Sequence, residues 1–177
     1  MTFKEIRRQQ YAYHRGHDKS LYTWFKACLY MEGASILVYL CQFTPITPNC
    51  LTICYGLLGV IGGTLLALGK KEFLLTAILI FYFKGILDWS DGHLARITNK
   101  ETILGHRLDI ICGRIGTIAF YTGLLMYISH KLNFYYLPLL APFFYLYRKK
   151  LPRLDGRART IDFILLCLFL DFSCFLP

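Results

Sequence analysis

The sequence predicts an all-helical integral membrane protein, a bundle of five transmembrane helices, or six, preceded by an interfacial helix at the N-terminus. Three observations carry this prediction. The composition is 55% hydrophobic and 16% aromatic with only 18% charged residues, on the apolar side of ordinary soluble domains. The apolar residues fall in long runs: 51–69 and 132–147 hold no charge at all, and runs approaching ~20 residues cross a ~30 Å hydrocarbon core. The net charge of +9 sits between those runs, as the Lys and Arg of cytoplasmic loops do in membrane proteins. That charge is therefore read as topology, and no nucleic-acid partner is expected.

The 177 residues make one membrane domain, 1–177. Residues 1–43 read as a basic, aromatic-rich interfacial segment of the kind that lies on anionic lipid. Its charged start has no compact apolar core or cleavage site behind it, so it is not a cleavable signal. The stretch 27–43, ACLYMEGASILVYLCQF, is apolar but short and interrupted by Glu32. The transmembrane bundle occupies 48–177. TPITPN reads as a turn, with Asn49 placed to cap a helix that begins near Cys50. That helix, 50–69, carries a GxxxG pair, Gly59 and Gly63, suited to close helix approach in lipid. KKE at 70–72 is a turn, and a helix over 73–90 delivers Asp88 at its end. A polar link, 96–104, leads to a helix over 105–129. Another covers 133–147, the basic RKKLPRLDGRAR follows, and a last apolar stretch fills 161–177. The seven cysteines are scattered, with no C-x-x-C pair and no disulfide-framework spacing.

Charge placement fixes the orientation. If 27–43 lies at the interface, the N-terminus, the 88–107 region and the 148–159 loop share one side. That side then holds 15 of the 20 Lys and Arg, and the positive-inside rule makes it cytoplasmic.

The candidate site spans 88–113, within LDWSDGHLARITNKETILGHRLDIICGRIG. An ionised acid in a spanning segment costs ~2.5–3.5 kcal/mol at a helix centre. Asp88 and Asp91 are three apart and project from one helical face, and Asp109 enters on the next helix. Three carboxylates at one membrane boundary repel unless a cation holds them. Oxygen ligands favour a hard divalent ion, Mg²⁺ or Mn²⁺. His93 and His106 lie nearby and keep zinc open, although no H-E-x-x-H pattern exists. A hard metal beside Arg96, Arg107 and Arg114 suits a diphosphate. Gly92 and Ala95 remove bulk where a ligand could meet backbone. A packing role stands beside this one, with Asp88 paired to Lys84 and Asp109 to Arg114 or Arg107.

The pattern D-x-x-D-G-x-x-A-R, eight residues, then G-x-x-x-D resembles the signature of CDP-alcohol phosphotransferases, membrane enzymes of phospholipid synthesis. Asp88, Asp91, Gly92, Ala95, Arg96, Gly105 and Asp109 match it at every one of these positions, including the gap from Ile97 to Leu104. TPNCLT, with Pro48, Asn49 and Thr52, resembles the start of that family's first spanning helix, and the likeness covers roughly residues 45–160. The resemblance implies phosphatidyl-type transfer from a CDP-linked alcohol or lipid to an acceptor hydroxyl, with release of CMP. It implies a diphosphate bound on Mg²⁺ or Mn²⁺ held by Asp88, Asp91 and Asp109. Gly92 and Ala95 would make room for the cytidine nucleotide. Asn49 and Thr52 would line the pocket, beside Arg96 and Gly105. The implied partners are a CDP-linked lipid, a hydroxyl acceptor, membrane lipid and a second copy of the chain in a homodimer.

Two departures accompany the match. The family places another aspartate four residues after Asp109, and this chain has Gly113. The resemblance implies that the lost carboxylate serves as metal ligand and general base, the latter role typically worth about 10²- to 10⁴-fold; the substitutes on offer are His106, three residues before Asp109 on the same face, His93 or water. A catalytically impaired relative acting as a binding or assembly protein is the alternative, and an ion transporter is a more distant one. The family core also implies six spans where five are counted, and the last stretch is a weak one, with Asp171 inside FILLCLFLDFSCFLP. In the basic loop, Arg153, Arg157 and Arg159 are candidates for binding a phosphate of acceptor or lipid, beside a plain electrostatic attraction to anionic lipid.

Overall fold

The computed structural model describes residues 1–13 and 27–132, together with 161, 162, 164, 165, 167 and 168. Every described element is helical. Helix α1 covers Phe3–Tyr13, a π-helical turn Ala27–Met31 leads into α2, Glu32–Cys41, and three long helices follow: α3, Pro48–Ala67, α4, Lys71–Ile97, and α5, Ile103–Leu132. The three long helices are each apolar and long enough to cross a membrane, whereas the apolar helix Leu29–Cys41 is in the shorter class. The expected span at 133–147 lies outside the described residues.

The described chain divides into two units, 1–56 with 83–113, and 57–82 with 114–177. In the first, α1 starts with a reciprocal cap: Glu5 N–H donates to Thr2 Oγ1 at 3.4 Å and Thr2 N–H to Glu5 Oε2 at 2.9 Å, satisfying donors that a helix start leaves orphaned. Ile6 and Gln10, one turn apart, are its buried face. Arg7 Nε donates to both oxygens of Glu32, at 2.8 and 3.0 Å, and the Tyr11 hydroxyl donates to Glu32 Oε1 at 2.6 Å. Glu32, an interruption in the apolar stretch 27–43, is thus the anchor that ties α1 to α2.

The start of α3 differs from the sequence expectation. Cys50 N–H donates to the Thr47 hydroxyl at 3.3 Å, so Thr47 is the cap and Pro48 the first helical residue. Proline suits that position because its missing N–H would be unpaired there anyway. Asn49 is thereby free of capping duty. Helix α4 runs on to Ile97, seven residues past the expected end, and keeps Asp88 through Arg96 on one continuous helix. It ends in a left-handed Asn99, φ 52°, with Lys100 N–H bonded to Ala95 O at 2.9 Å and Asn99 N–H to Arg96 O at 3.3 Å. That pairing is the Schellman closure, in which asparagine substitutes for the usual glycine. Thr102 then caps α5, its hydroxyl accepting from Gly105 N–H at 2.9 Å. Five residues therefore join the two acid-bearing helices, fastened at both ends.

The second unit holds an apolar core of Leu66, Leu74, Ala77, Ile78, Phe81, Phe120, Leu124, Tyr127, Leu165 and Leu168. Phe81 and Phe120 meet edge to face with ring centroids 4.9 Å apart. Here α3 and α5 touch backbone to backbone: a Cβ on Gly63 would lie 2.5 Å from Ala119 O, and one on Gly123 would strike Gly63 O. Gly63, half of the predicted GxxxG pair, is therefore at a helix contact that only small residues permit.

Candidate active site

The cavity and the side chains that support it belong to the first unit. The N-terminal turns of α3, the C-terminal half of α4 and the first turns of α5 surround a cavity of about 370 Å³. Eight sequence-predicted residues line it: Asn49, Asp91, Gly92, Ala95, Arg96, Gly105, His106 and Asp109. Pro48, Lys100, Glu101 and Thr102 complete the wall. Helical spacing accounts for the α4 set, since Asp91, Gly92, Ala95 and Arg96 recur at three and four residues on one face. The mouth also faces the N-terminal end of α5, where the helix dipole favours anions.

Thr52 and Asp88 are not among the lining residues. Thr52, 3% exposed, donates its hydroxyl to Asp91 Oδ2 at 2.5 Å and also lies 3.1 Å from Pro48 O. It is therefore the group that orients Asp91, itself only 6% exposed. Asp91 Oδ1 accepts from Gly92 N–H. On α5, the Tyr55 hydroxyl donates to Asp109 Oδ1 at 2.5 Å and contacts Asp109 O at 2.8 Å. Tyr55 is 0% exposed, and the Lys84 ammonium lies 5.0 Å from its ring centroid.

Asp88, Asp91 and Asp109 lie within electrostatic reach of one another. Among the described residues, no group of three or more His, Cys, Asp or Glu side chains is gathered as it would be around a metal ion. Asp91 is turned to Thr52 and Asp109 to Tyr55. Of the packing partners considered from the sequence, Lys84 lies against the Tyr55 ring and within electrostatic reach of Asp88, whereas Asp109 is held by Tyr55 and Arg107 and Arg114 are exposed.

Two small residues shape the wall differently. A Cβ on Gly92 would meet the Arg96 guanidinium at 3.4 Å, leaving the backbone open to the cavity. A Cβ on Gly105 would crowd Asn49 Oδ1 at 2.9 Å and Thr102 Oγ1 at 3.1 Å. At Gly113 a Cβ has ample room, its nearest neighbour being the Tyr55 hydroxyl at 3.9 Å.

Sequence reasoning missed Lys100, Glu101 and Tyr55. The fixed eight-residue gap between Arg96 and Gly105 was the available signal for the first two, because a loop of constant length is part of the site's construction. Tyr55 had no such signal. Arg153, Arg157 and Arg159 lie outside the described residues.

Among families of known proteins, the one described as CDP-alcohol phosphatidyltransferase matches residues 45–151, more than half of the chain. No curated protein matches it.

Proposed function

The chain belongs to the CDP-alcohol phosphatidyltransferase family, membrane transferases of phospholipid biosynthesis, and from that premise we propose a substrate arrangement and a chemistry for its cavity. The proposed reaction moves a phosphatidyl-type group from a CDP-linked lipid to an acceptor hydroxyl and releases CMP. The observation that carries the proposal is the single cavity onto which Asn49, Asp91, Gly92, Ala95, Arg96, Gly105, His106 and Asp109 converge.

The acids suit a hard divalent cation by the chemistry of their donor set. Asp88, Asp91 and Asp109 offer only carboxylate oxygen, from two helices, and feel one another's charge; oxygen donors of this kind select Mg²⁺ or Mn²⁺, although the described side chains are not gathered around one point. When bound, that ion neutralises charge on the diphosphate and polarises the phosphoryl oxygens. Thr52 holds Asp91 in place for this role through its 2.5 Å hydrogen bond. Gly92 and Ala95 admit the nucleotide against the α4 backbone, and Asn49 and Gly105 form the facing wall. Arg96 supplies positive charge to the phosphates. His106, exposed at the rim, accepts the proton of the acceptor hydroxyl as it attacks the lipid-bearing phosphorus. The bond from that phosphorus to the CMP oxygen breaks, with attacking and leaving oxygens roughly in line.

The N-terminal segment rests at the cytoplasmic surface of the membrane in this reading, which makes the cavity cytoplasmic. Supporting it, Lys4, Arg7 and Arg8 are exposed on α1, and Leu29–Cys41 is too short for the spanning class. The test is release of labelled CMP from CDP-diacylglycerol by the purified chain, with Mg²⁺ or Mn²⁺ and a panel of hydroxyl acceptors. Metal-dependent release with one acceptor is expected. No release with any acceptor, under conditions where the protein binds the nucleotide lipid, contradicts a transferase role.

A further inference from the structure

Tyr55 is a completely buried phenol that the reaction outlined above does not use. Its hydroxyl donates to Asp109 Oδ1 at 2.5 Å, and the Asp88 charge on α4 is near enough to act on it. It therefore stands between acids contributed by α4 and α5. The ring is confined by its complete burial, and the Lys84 ammonium, one turn before Asp88 on α4, sits 5.0 Å from its centroid. Gly113 follows Asp109 by one turn of α5, and the nearest neighbour of a Cβ placed there is this same hydroxyl, at 3.9 Å.

We propose that Tyr55 is a positioning residue of the site, fixing the Asp109 carboxylate and filling the space toward which a side chain at position 113 would project. The residues at 55 and 113 are then a matched pair: a long hydroxylated side chain reaches in from α3 where α5 presents none. A phenol has one proton, and here it is directed to Asp109 Oδ1. Asp109 is thus oriented by Tyr55 on α3 as Asp91 is by Thr52 on the same helix, three residues earlier. Hydrogen-bond partners that orient a metal-binding carboxylate typically govern affinity by about 10- to 100-fold. The inference rests on the reading of Asp88, Asp91 and Asp109 as divalent-ion ligands.

The experiment is a titration of the full chain in detergent with Mn²⁺ alone, followed by the free-Mn²⁺ spin-resonance signal, with thermal midpoints measured in parallel. Tyr55→Phe keeps the ring and its contact with Lys84 and removes only the hydroxyl. It is expected to weaken Mn²⁺ binding by about 10- to 100-fold with the midpoint nearly unchanged, a separation that a packing role alone would not produce. At position 113 the proposal predicts a graded response. Gly113→Ala fits within the 3.9 Å gap and leaves Mn²⁺ binding unchanged. Gly113→Leu pushes the hydroxyl off Asp109 and weakens binding as Tyr55→Phe does, and the double variant is no worse than either single one. Should Tyr55→Phe fail to fold, Gly113→Leu read against Gly113→Ala gives the same decision. Asp91→Ala separates the two levels of the argument. If it leaves Mn²⁺ binding intact, the assignment of the metal ligands is wrong. If it abolishes binding while Tyr55→Phe and Gly113→Leu both bind as the native chain does, only the role of Tyr55 is overturned.

Discussion

At the scale of single residues, Gly105 is where the wall of the cavity is most tightly specified. A methyl group there would lie 2.9 Å from Asn49 Oδ1, closer than packed carbon and oxygen tolerate, and the flexible carboxamide of Asn49 is the partner that would yield. Gly105→Ala is therefore expected to leave the melting temperature nearly unchanged while raising KM for the CDP-linked lipid several-fold. Asn49→Ala should raise KM comparably, and the double variant should add nothing. Additive rises in KM would mean that the two residues act separately. Thr102 has the opposite profile. Its hydroxyl serves the first turn of α5, so Thr102→Ala should cost about 1 kcal/mol of stability, read as a lower thermal midpoint. Most of the cavity's lining is legible in the sequence, because Asp91, Gly92, Ala95 and Arg96 follow helical spacing and Gly105 and Asp109 follow in register. Tyr55 was not legible. Its contact with Asp109 joins residues far apart in sequence, depends on how α3 and α5 pack, and leaves no local pattern. Asn49 was given the wrong duty because the stronger start signal, a threonine followed by proline, lies two residues earlier.

At the scale of elements, α1 is held to α2 by a charged network on Glu32. Burial pushes the Glu32 carboxyl up, but hydrogen bonds from Arg7 and Tyr11 outweigh it and hold the group below its ordinary value of 4.5. Burial, aided by the bond to Glu32, pushes the Tyr11 phenol up to about 12. A depressed acid stabilises the folded arrangement above its unfolded pKa and loses that contribution as pH falls through its folded value. Amide exchange in residues 3–13 should therefore accelerate as the medium is acidified below pH 4.5, beyond the intrinsic pH trend of exchange. In Glu32→Gln the protection should already be reduced at neutral pH and should vary little on acidification. Equal protection in both proteins at every pH would mean that α1 is held by Ile6 and its apolar neighbours alone. In the second unit, Gly63→Leu would drive a side chain into the Ala119 carbonyl and should lower the thermal midpoint, by the ~1–3 kcal/mol or more that overpacking costs. An unchanged midpoint would remove that helix contact. The sequence located these helices well and their ends less well. Helix α4 extends past residue 90 through Asp91, Gly92, Ala95 and Arg96, which line a cavity, so polarity there marks a cavity wall and not a helix end. Glu32, taken as a break, is satisfied by a partner 25 residues away, which no local pattern discloses.

At the scale of the whole molecule, the family assignment and three long apolar helices make this a membrane protein. Large apolar side chains such as Leu57, Leu79, Phe83 and Ile118 are exposed on those helices, as a lipid surroundings requires. The orientation proposed from the distribution of Lys and Arg is directly testable. In a cysteine-free background, Lys100→Cys should react with an impermeant maleimide only from the cytoplasmic side, and Lys70→Cys only from the opposite side. The reverse labelling would place the cavity outside. Membrane class is legible from sequence because it depends on composition summed over many residues. How the acids are oriented is not, because it depends on single hydroxyls carried by a different helix. The account as a whole depends on the acids of α4 and α5 acting together through a divalent ion on a nucleotide-linked diphosphate. The most direct measurement is calorimetric titration of CDP-diacylglycerol, with Mn²⁺ present, into the native protein and into Asp91→Ala. Saturable binding that vanishes in Asp91→Ala, while the variant still inserts and melts as the native chain does, is the predicted result. Equal affinity in the two proteins would contradict it.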